Sequence, residues 1–411
     1  MKFIERIFSL TNETGHKVLT ILGIKLKFQY NKEAYLFEHV YCYLCNKFCK
    51  VKKNKIVFGN IANMQYSCNP KYLAEELLKR DVSKFDLVWL VSKGTNLEEI
   101  PSEFRLVSYN SVQALYELST ARAVILNSHI FLPFKKGFIK NNDSIFFQTF
   151  HGSMGIKKID ADTRTYDDLG WTPWQIKSQK AMDYLFTDSD FEVRVFKSAF
   201  RGFGDIHKLG KPRDVVFYKE RKPLIDKVKS FYDIPQGNNI LLYAPTWRSD
   251  KRCSCYNLDI KLLKKVLKSR FGGEWSILIK AHVNMKKKLF SALYDIEDAI
   301  NASAYPDMQE LLVAADILIS DYSSCLPEFV ISRKPSFLYA TDLDKYEDGF
   351  YYDLSVLPSP LAFDNGDLAN NILNFDYELY KLRSIEFLSK MGYQDDGASC
   401  ERIINFILSK I

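Results

Sequence analysis

The chain of 411 residues has no uninterrupted apolar run near the roughly 18 residues that a spanning helix requires, which argues against a transmembrane segment. It lacks internal repeats, low-complexity tracts and any recognised nucleic-acid-binding module, so its basic balance does not point to nucleic acid. Glu5 interrupts the start, and no long apolar core with a small-residue cleavage site comes after it. A secretory signal is therefore not expected, and work in the cytosol is. Eight cysteines are present, but Cys42, Cys45 and Cys49, with His39 before them, have no second CxxC-spaced pair to complete a zinc site. The expectation is structural thiols, with no metal.

The residues that are present in excess are basic. Residues 1–55 hold eleven Lys or Arg against four Glu, and the remaining 356 residues hold 46 of each sign, so the whole net charge of +7 sits in this segment. A basic, aromatic-rich stretch suits either an anionic membrane surface or a solvated helical hairpin packed on the first domain. It is expected to be helical, with residues 34–50 one helix.

From Lys55 onward short apolar runs alternate with helical periodicity. Ile56–Phe58, Asp86–Val91, Arg105–Val107, Ala123–Leu126, Ile145–Phe147 and Tyr184–Phe186 read as strands, and the pattern resumes with Ile240–Tyr243, Ser276–Ile279, Ile317–Ile319 and Pro335–Tyr339. Strands without polar alternation, separated by helices, imply parallel βαβ units. The expected architecture is α/β, with two Rossmann-like doubly wound domains facing a central cleft. The divisions are 1–54 for the basic segment, 55–215 for the first domain, 216–385 for the second, and 386–411 for helices that finish the second domain or cross back onto the first.

Ligands of open α/β sheets bind past the carboxyl ends of the strands. There stand His151 in Thr149-Phe150-His151-Gly152, Thr246 and Arg248 in Ala244-Pro245-Thr246-Trp247-Arg248, Lys280 and His282 in Lys280-Ala281-His282, and the run Ser320-Asp321-Tyr322-Ser323-Ser324. Imidazole titrates near neutrality and suits a general base. Arginine, lysine and a hydroxyl-rich helix start suit a diphosphate. His129, after Asn127-Ser128, is a third histidine candidate.

Taken together, His151-Gly152-Ser153, Gly210-Lys211-Pro212-Arg213-Asp214, Tyr243–Arg248, Tyr305–Leu311, Ser320–Ser324, Gly349–Asp353 and Asp395–Ser399 resemble the CDP-glycerol glycerophosphotransferase family, the teichoic acid primases and polymerases. The resemblance implies a GT-B fold with His151 and His282 as the catalytic pair. It also implies a donor site drawn from Arg213, Thr246, Arg248, Lys280, Asp307, Glu310, Ser320, Asp321, Ser323 and Ser324. The implied reaction moves glycerol phosphate, or a related polyol phosphate, from a CDP-activated donor to a hydroxyl of a lipid-linked or polysaccharide acceptor at the inner face of the cell membrane, and releases CMP. Ser153-Met154 and Val283 replace residues common in the family, and Lys211 stands where an aromatic is common. The polyol and the acceptor therefore stay open, as does a GT-B glycosyltransferase using a nucleotide sugar in capsule or lipo-oligosaccharide synthesis.

Overall fold

The computed structural model describes residues 8–13, 16–21, 24–29, 35–60, 65–128, 131–163, 173–246, 257–281, 299–346 and 349–411. The basic segment differs from expectation. Strands β1 (Phe8–Glu13), β2 (His16–Ile21) and β3 (Ile24–Gln29) form an antiparallel sheet, with Glu13 opposite His16 and Ile21 opposite Ile24. Helix is found at Leu36–Phe48. The reason lies in the period: Ile24-Lys25-Leu26-Lys27-Phe28 alternates every second residue, which is the repeat of a strand. Two residues ending in Gly, Thr14-Gly15 and Leu22-Gly23, separate the paired ends, a spacing that marks hairpins. In the helix, Cys42 and Cys45 are buried, and burial pushes both thiols up to about 12. Nδ1 of His39 bonds Tyr35 O at 2.5 Å.

Seven parallel strands come next in the chain: β4 (Lys52–Gly59), β5 (Asp86–Val91), β6 (Arg105–Ser108), β7 (Ala121–Leu126), β8 (Ile145–Gln148), β9 (Tyr184–Thr187) and β10 (Asp205–Lys208). Their order is β10-β9-β8-β7-β4-β5-β6. Successive side chains point to opposite faces, so Val57, Val88, Leu90, Val124 and Phe146 pack on one side. Ile56, Phe58, Leu87, Trp89, Ile125 and Phe147 pack on the other. That second face is covered partly by the far end of the chain: Ile403, Ile404 and Ile407 of the helix Ser399–Lys410 join it. The helix is tied there by Ser399 Oγ donating to Lys211 O at 3.1 Å and by Arg122 Nη2 donating to Lys410 O at 2.7 Å.

The third sheet comprises β11 (Asn239–Ala244), β12 (Trp275–Ile279), β13 (Ile300–Asn301), β14 (Ile317–Ser320), β15 (Ser336–Tyr339) and β16 (Leu361–Ala362), all parallel, in the order β13-β12-β11-β14-β15-β16. Both large sheets thus reverse direction beside their first strand, at β4/β7 and at β11/β14, where doubly wound sheets open a crevice. An apolar cluster is continuous between the halves, joining Met154, Ile156 and Phe191 to Leu242, Leu318 and to Phe387 and Met391 of the helix Tyr377–Met391. Main-chain bonds add to it, with Lys158 N donating to Gly349 O at 3.0 Å and Tyr351 N to Ile156 O at 2.9 Å.

Candidate active site

A cavity of about 440 Å³ lies where the two switch points face each other. From the first half it is lined by Asn60, Phe150, His151, Gly152, Glu192 and Arg213, and from the second by Thr246, Lys280, Asp307, Gln309, Ser323, Ser324 and Glu328.

His151 follows β8 through Phe150, whose φ of +55° is the left-handed region that a bulky residue avoids without support. Its Nδ1 lies 3.0 Å from Asn127 O. A carbonyl only accepts, so Nδ1 carries the hydrogen and Nε2 of the neutral ring holds the lone pair needed by a base. Asn127 is fixed in turn, its Nδ2 donating to Asn60 Oδ1 at 2.7 Å across the β4/β7 switch point. Asn60 Nδ2 donates to Ser67 Oγ at 2.8 Å. The chain approaches closely at Gly152: a Cβ there would stand 3.2 Å from Ser324 Oγ and 3.4 Å from Ser324 Cβ, so a larger residue would have to push the serine side chain aside.

On the opposite side Asp321 binds across the β11/β14 switch point. Its Oδ1 accepts from Thr246 N at 2.8 Å, Thr246 Oγ1 at 2.5 Å and Tyr322 N at 2.7 Å. The short helix Cys325–Val330 starts just beyond, with Ser323 and Ser324 on the cavity wall. The Ser324 side chain makes no cap; Ser323 Oγ accepts the Cys325 N–H, at 3.4 Å. Lys280 donates to Ser303 O at 3.2 Å and to Tyr305 O. Burial pushes its ammonium down to about 8, with Asp307 opposing.

Of the residues expected at the donor site, Arg213, Thr246, Lys280, Asp307, Ser323 and Ser324 reach the cavity together with His151. Three do not line it. Ser320 is fully buried and donates to Ala244 O at 2.7 Å, Asp321 spends its carboxylate on Thr246, and Glu310 binds Lys71, Lys227 and the Tyr305 hydroxyl. The atoms named here are met within the protein and stand off the cavity wall, as buried polar groups usually are. Arg213 is also largely withdrawn, 6% exposed and paired with Glu328. His129, Arg248 and His282 lie outside the described residues.

Sequence reasoning missed Asn60, Glu192, Gln309 and Glu328 on the wall. Glu192 is buried, accepts from Lys211 Nζ at 2.8 Å and from Thr187 Oγ1 at 2.6 Å, and burial pushes it up to about 7 against the pull of Lys211. Lys211 Nζ itself stands over the Phe150 and Phe196 rings, 5.8 and 5.4 Å from their centroids. An imidazole with a fixed tautomer thus shares one cavity with hydroxyls and an ammonium, groups of the kind that take up a proton and hold a phosphorylated ligand.

Known proteins show the same likeness. The chain is 26% identical over 373 residues to a teichoic acid poly(glycerol phosphate) polymerase of Bacillus subtilis (strain 168), covering 87% of this chain and 49% of that protein. It therefore spans about half the length of that relative. A teichoic acid glycerol-phosphate transferase of Staphylococcus aureus (strain NCTC 8325 / PS 47) is 28% identical, with 86% of this chain and 93% of that one covered. A solved structure of the wall teichoic acid polymerase TagF, from a crystal soaked with CDPG, superposes with a TM-score of 0.77 at 26% identity over 90% of this chain and 92% of that one. Matching the family model over residues 41–409, the chain belongs to the CDP-glycerol:poly(glycerophosphate) glycerophosphotransferase family.

Proposed function

We propose that the chain transfers glycerol phosphate, or a closely related polyol phosphate, from a CDP-activated donor to a hydroxyl of a lipid-linked or polysaccharide acceptor. The acceptor oxygen forms a bond to the β-phosphorus, the bond from that phosphorus to the oxygen bridging to the α-phosphate breaks, and CMP leaves with the electron pair. The acceptor proton passes to Nε2 of His151. Lys280, Ser323, Ser324 and Thr246 hold the donor diphosphate. Arg248 and His282, which come after β11 and β12 in the chain, are assigned to the charge that develops on the phosphoryl oxygens. The observation that carries the reading is His151, held by Asn127 with its basic nitrogen fixed, in one cavity with the second half's hydroxyls and half-buried ammonium. In this division of labour 55–215 presents the acceptor and 216–385 the donor.

The basic segment supports a station on the anionic inner surface of the membrane. On the helix Leu36–Phe48, Val40, Tyr43 and Phe48 are exposed, and Lys47 Nζ stands over both aromatic rings. Each Lys or Arg near such a surface contributes about 1 kcal/mol. Among the described residues no helix is long and apolar enough to cross a membrane.

The test is CMP release from CDP-glycerol in the presence of a membrane extract, with His151→Ala as control. Release that His151→Ala abolishes supports the reading, and equal release by both proteins overturns it. A thermal-shift series of CDP-glycerol, CDP-ribitol and UDP-sugars then fixes the donor, since a ligand that binds the folded state raises its apparent stability. Selective stabilisation by a UDP-sugar would favour the glycosyltransferase instead.

A further inference from the structure

Glu328 sits one turn into the helix that begins after Ser323 and Ser324, 1% exposed, yet its carboxylate serves the opposite half of the fold. Its Oε1 accepts the backbone N–H of Ser153 at 3.1 Å and also takes Arg213 Nη2. Its Oε2 accepts Gln309 Nε2 at 2.6 Å, from a side chain on the cavity wall. Arg213 leads on to the other flank of the histidine: its N–H donates to Asn69 Oδ1 at 2.9 Å, and Asn69 Nδ2 donates to Phe150 O at 2.9 Å and Thr149 O at 3.2 Å. His151 is therefore held from both sides, by Asn69 on the preceding carbonyl and by Glu328 on the N–H two residues on.

We propose that Glu328 is a positioning residue for the transfer, setting where His151 stands over the donor by tying the Gly152-Ser153 backbone to the serine turn of the second half. This rests on the donor reading above for its kinetic part only. A carboxylate buried at a joint is costly unless it is paired and hydrogen-bonded, and three donors from three separate elements, one of them a guanidinium, meet this one. The two turns lie close, since a Cβ added at Gly152 would stand 3.2 Å from Ser324 Oγ. The left-handed Phe150 also needs an outside hold to persist. A displacement of about 1 Å at such a point costs on the order of 100-fold in rate.

The experiment compares Glu328→Gln and Glu328→Asp with the unaltered chain in CMP release, in amide hydrogen exchange at Ser153, and in the NMR signal of the His151 ring. Glu328→Gln is expected to lower kcat about 100-fold with the KM for CDP-glycerol little changed, to accelerate exchange at Ser153 and to shift the ring signal. Glu328→Asp, which keeps the charge, is expected to restore part of the rate. A kcat within about twofold of the unaltered chain, or unchanged exchange and ring signal in a folded Glu328→Gln, overturns the proposal. If the unaltered chain releases no CMP, the donor reading fails. The exchange and ring measurements then decide the positioning role alone, as they do with Glu328→Asp should Glu328→Gln not fold.

Discussion

Replacing Lys71 by Met removes a cation that joins the two halves beside the cavity. Lys71 Nζ, on the helix Cys68–Leu78, lies 2.8 Å from Asp307 Oδ2 and 2.7 Å from Glu310 Oε1, and the carboxylate side chains are 1% and 4% exposed. Removing one partner of a buried pair costs about 3–5 kcal/mol, because the other charge stays behind without compensation. Here the low end applies. Glu310 keeps Lys227 at 2.7 Å and the Tyr305 hydroxyl at 2.6 Å, and Asp307 keeps the Tyr72 hydroxyl at 2.9 Å and Gln309 N at 3.0 Å. Met fills much of the same volume, so the expected loss is about 3 kcal/mol near neutral pH. Its pH dependence has a definite sign. Burial pushes the Glu310 carboxyl up, but Lys71 leads the groups that bring it net below its ordinary range. The stability it contributes is thus present above the unfolded value of about 4.3 and is lost as pH falls through the folded one. Burial pulls Lys71 down, and Asp307 and Glu310 more than reverse this, so its contribution persists throughout neutral pH. Urea unfolding followed by tryptophan fluorescence at pH 7.5 and pH 4 measures the difference. A loss below about 1 kcal/mol at neutral pH, or one that grows in acid, would refute the reasoning.

Gly152→Ala places a methyl 3.2 Å from Ser324 Oγ; a few-fold rise in the KM for CDP-glycerol is expected with little change in Tm, and a larger effect for Gly152→Val. Because burial pushes Lys280 down to about 8 against Asp307, its cation is present below that pH, and CDP-glycerol affinity should weaken as pH rises through it. Calorimetric titration should show this slope, and Lys280→Gln should lack it; the same slope in the variant would remove Lys280 from the donor site. Ile404→Ala opens a void where the final helix covers the seven-stranded sheet, and a loss of about 2–5 kcal/mol in urea unfolding is expected. An unchanged midpoint would mean that this helix contributes little to the sheet.

By itself the sequence determined the central strands and the loops that line the cavity. Runs such as Asp86–Val91 and Ile317–Ile319 are buried on both faces, so nearly every residue is apolar and the strand is visible without context. His151, Thr246, Lys280, Ser323 and Ser324 were legible because they come just after such strands, where doubly wound sheets place their ligands. The polar edge strand Asp205–Lys208 was not, since pairing on one side demands little burial. Nor was the antiparallel order of β1, β2 and β3, where basic residues interrupt the apolar ones. Only the tertiary structure decided which polar residues meet the cavity and which meet each other. Ser320, Asp321 and Glu310 turn into the protein, while Glu328 joins Ser153, 175 residues away in the chain, and Asn69 joins Phe150 at a separation of 81. Such pairings depend on how two sheets pack against one another, and no local period in the chain records that.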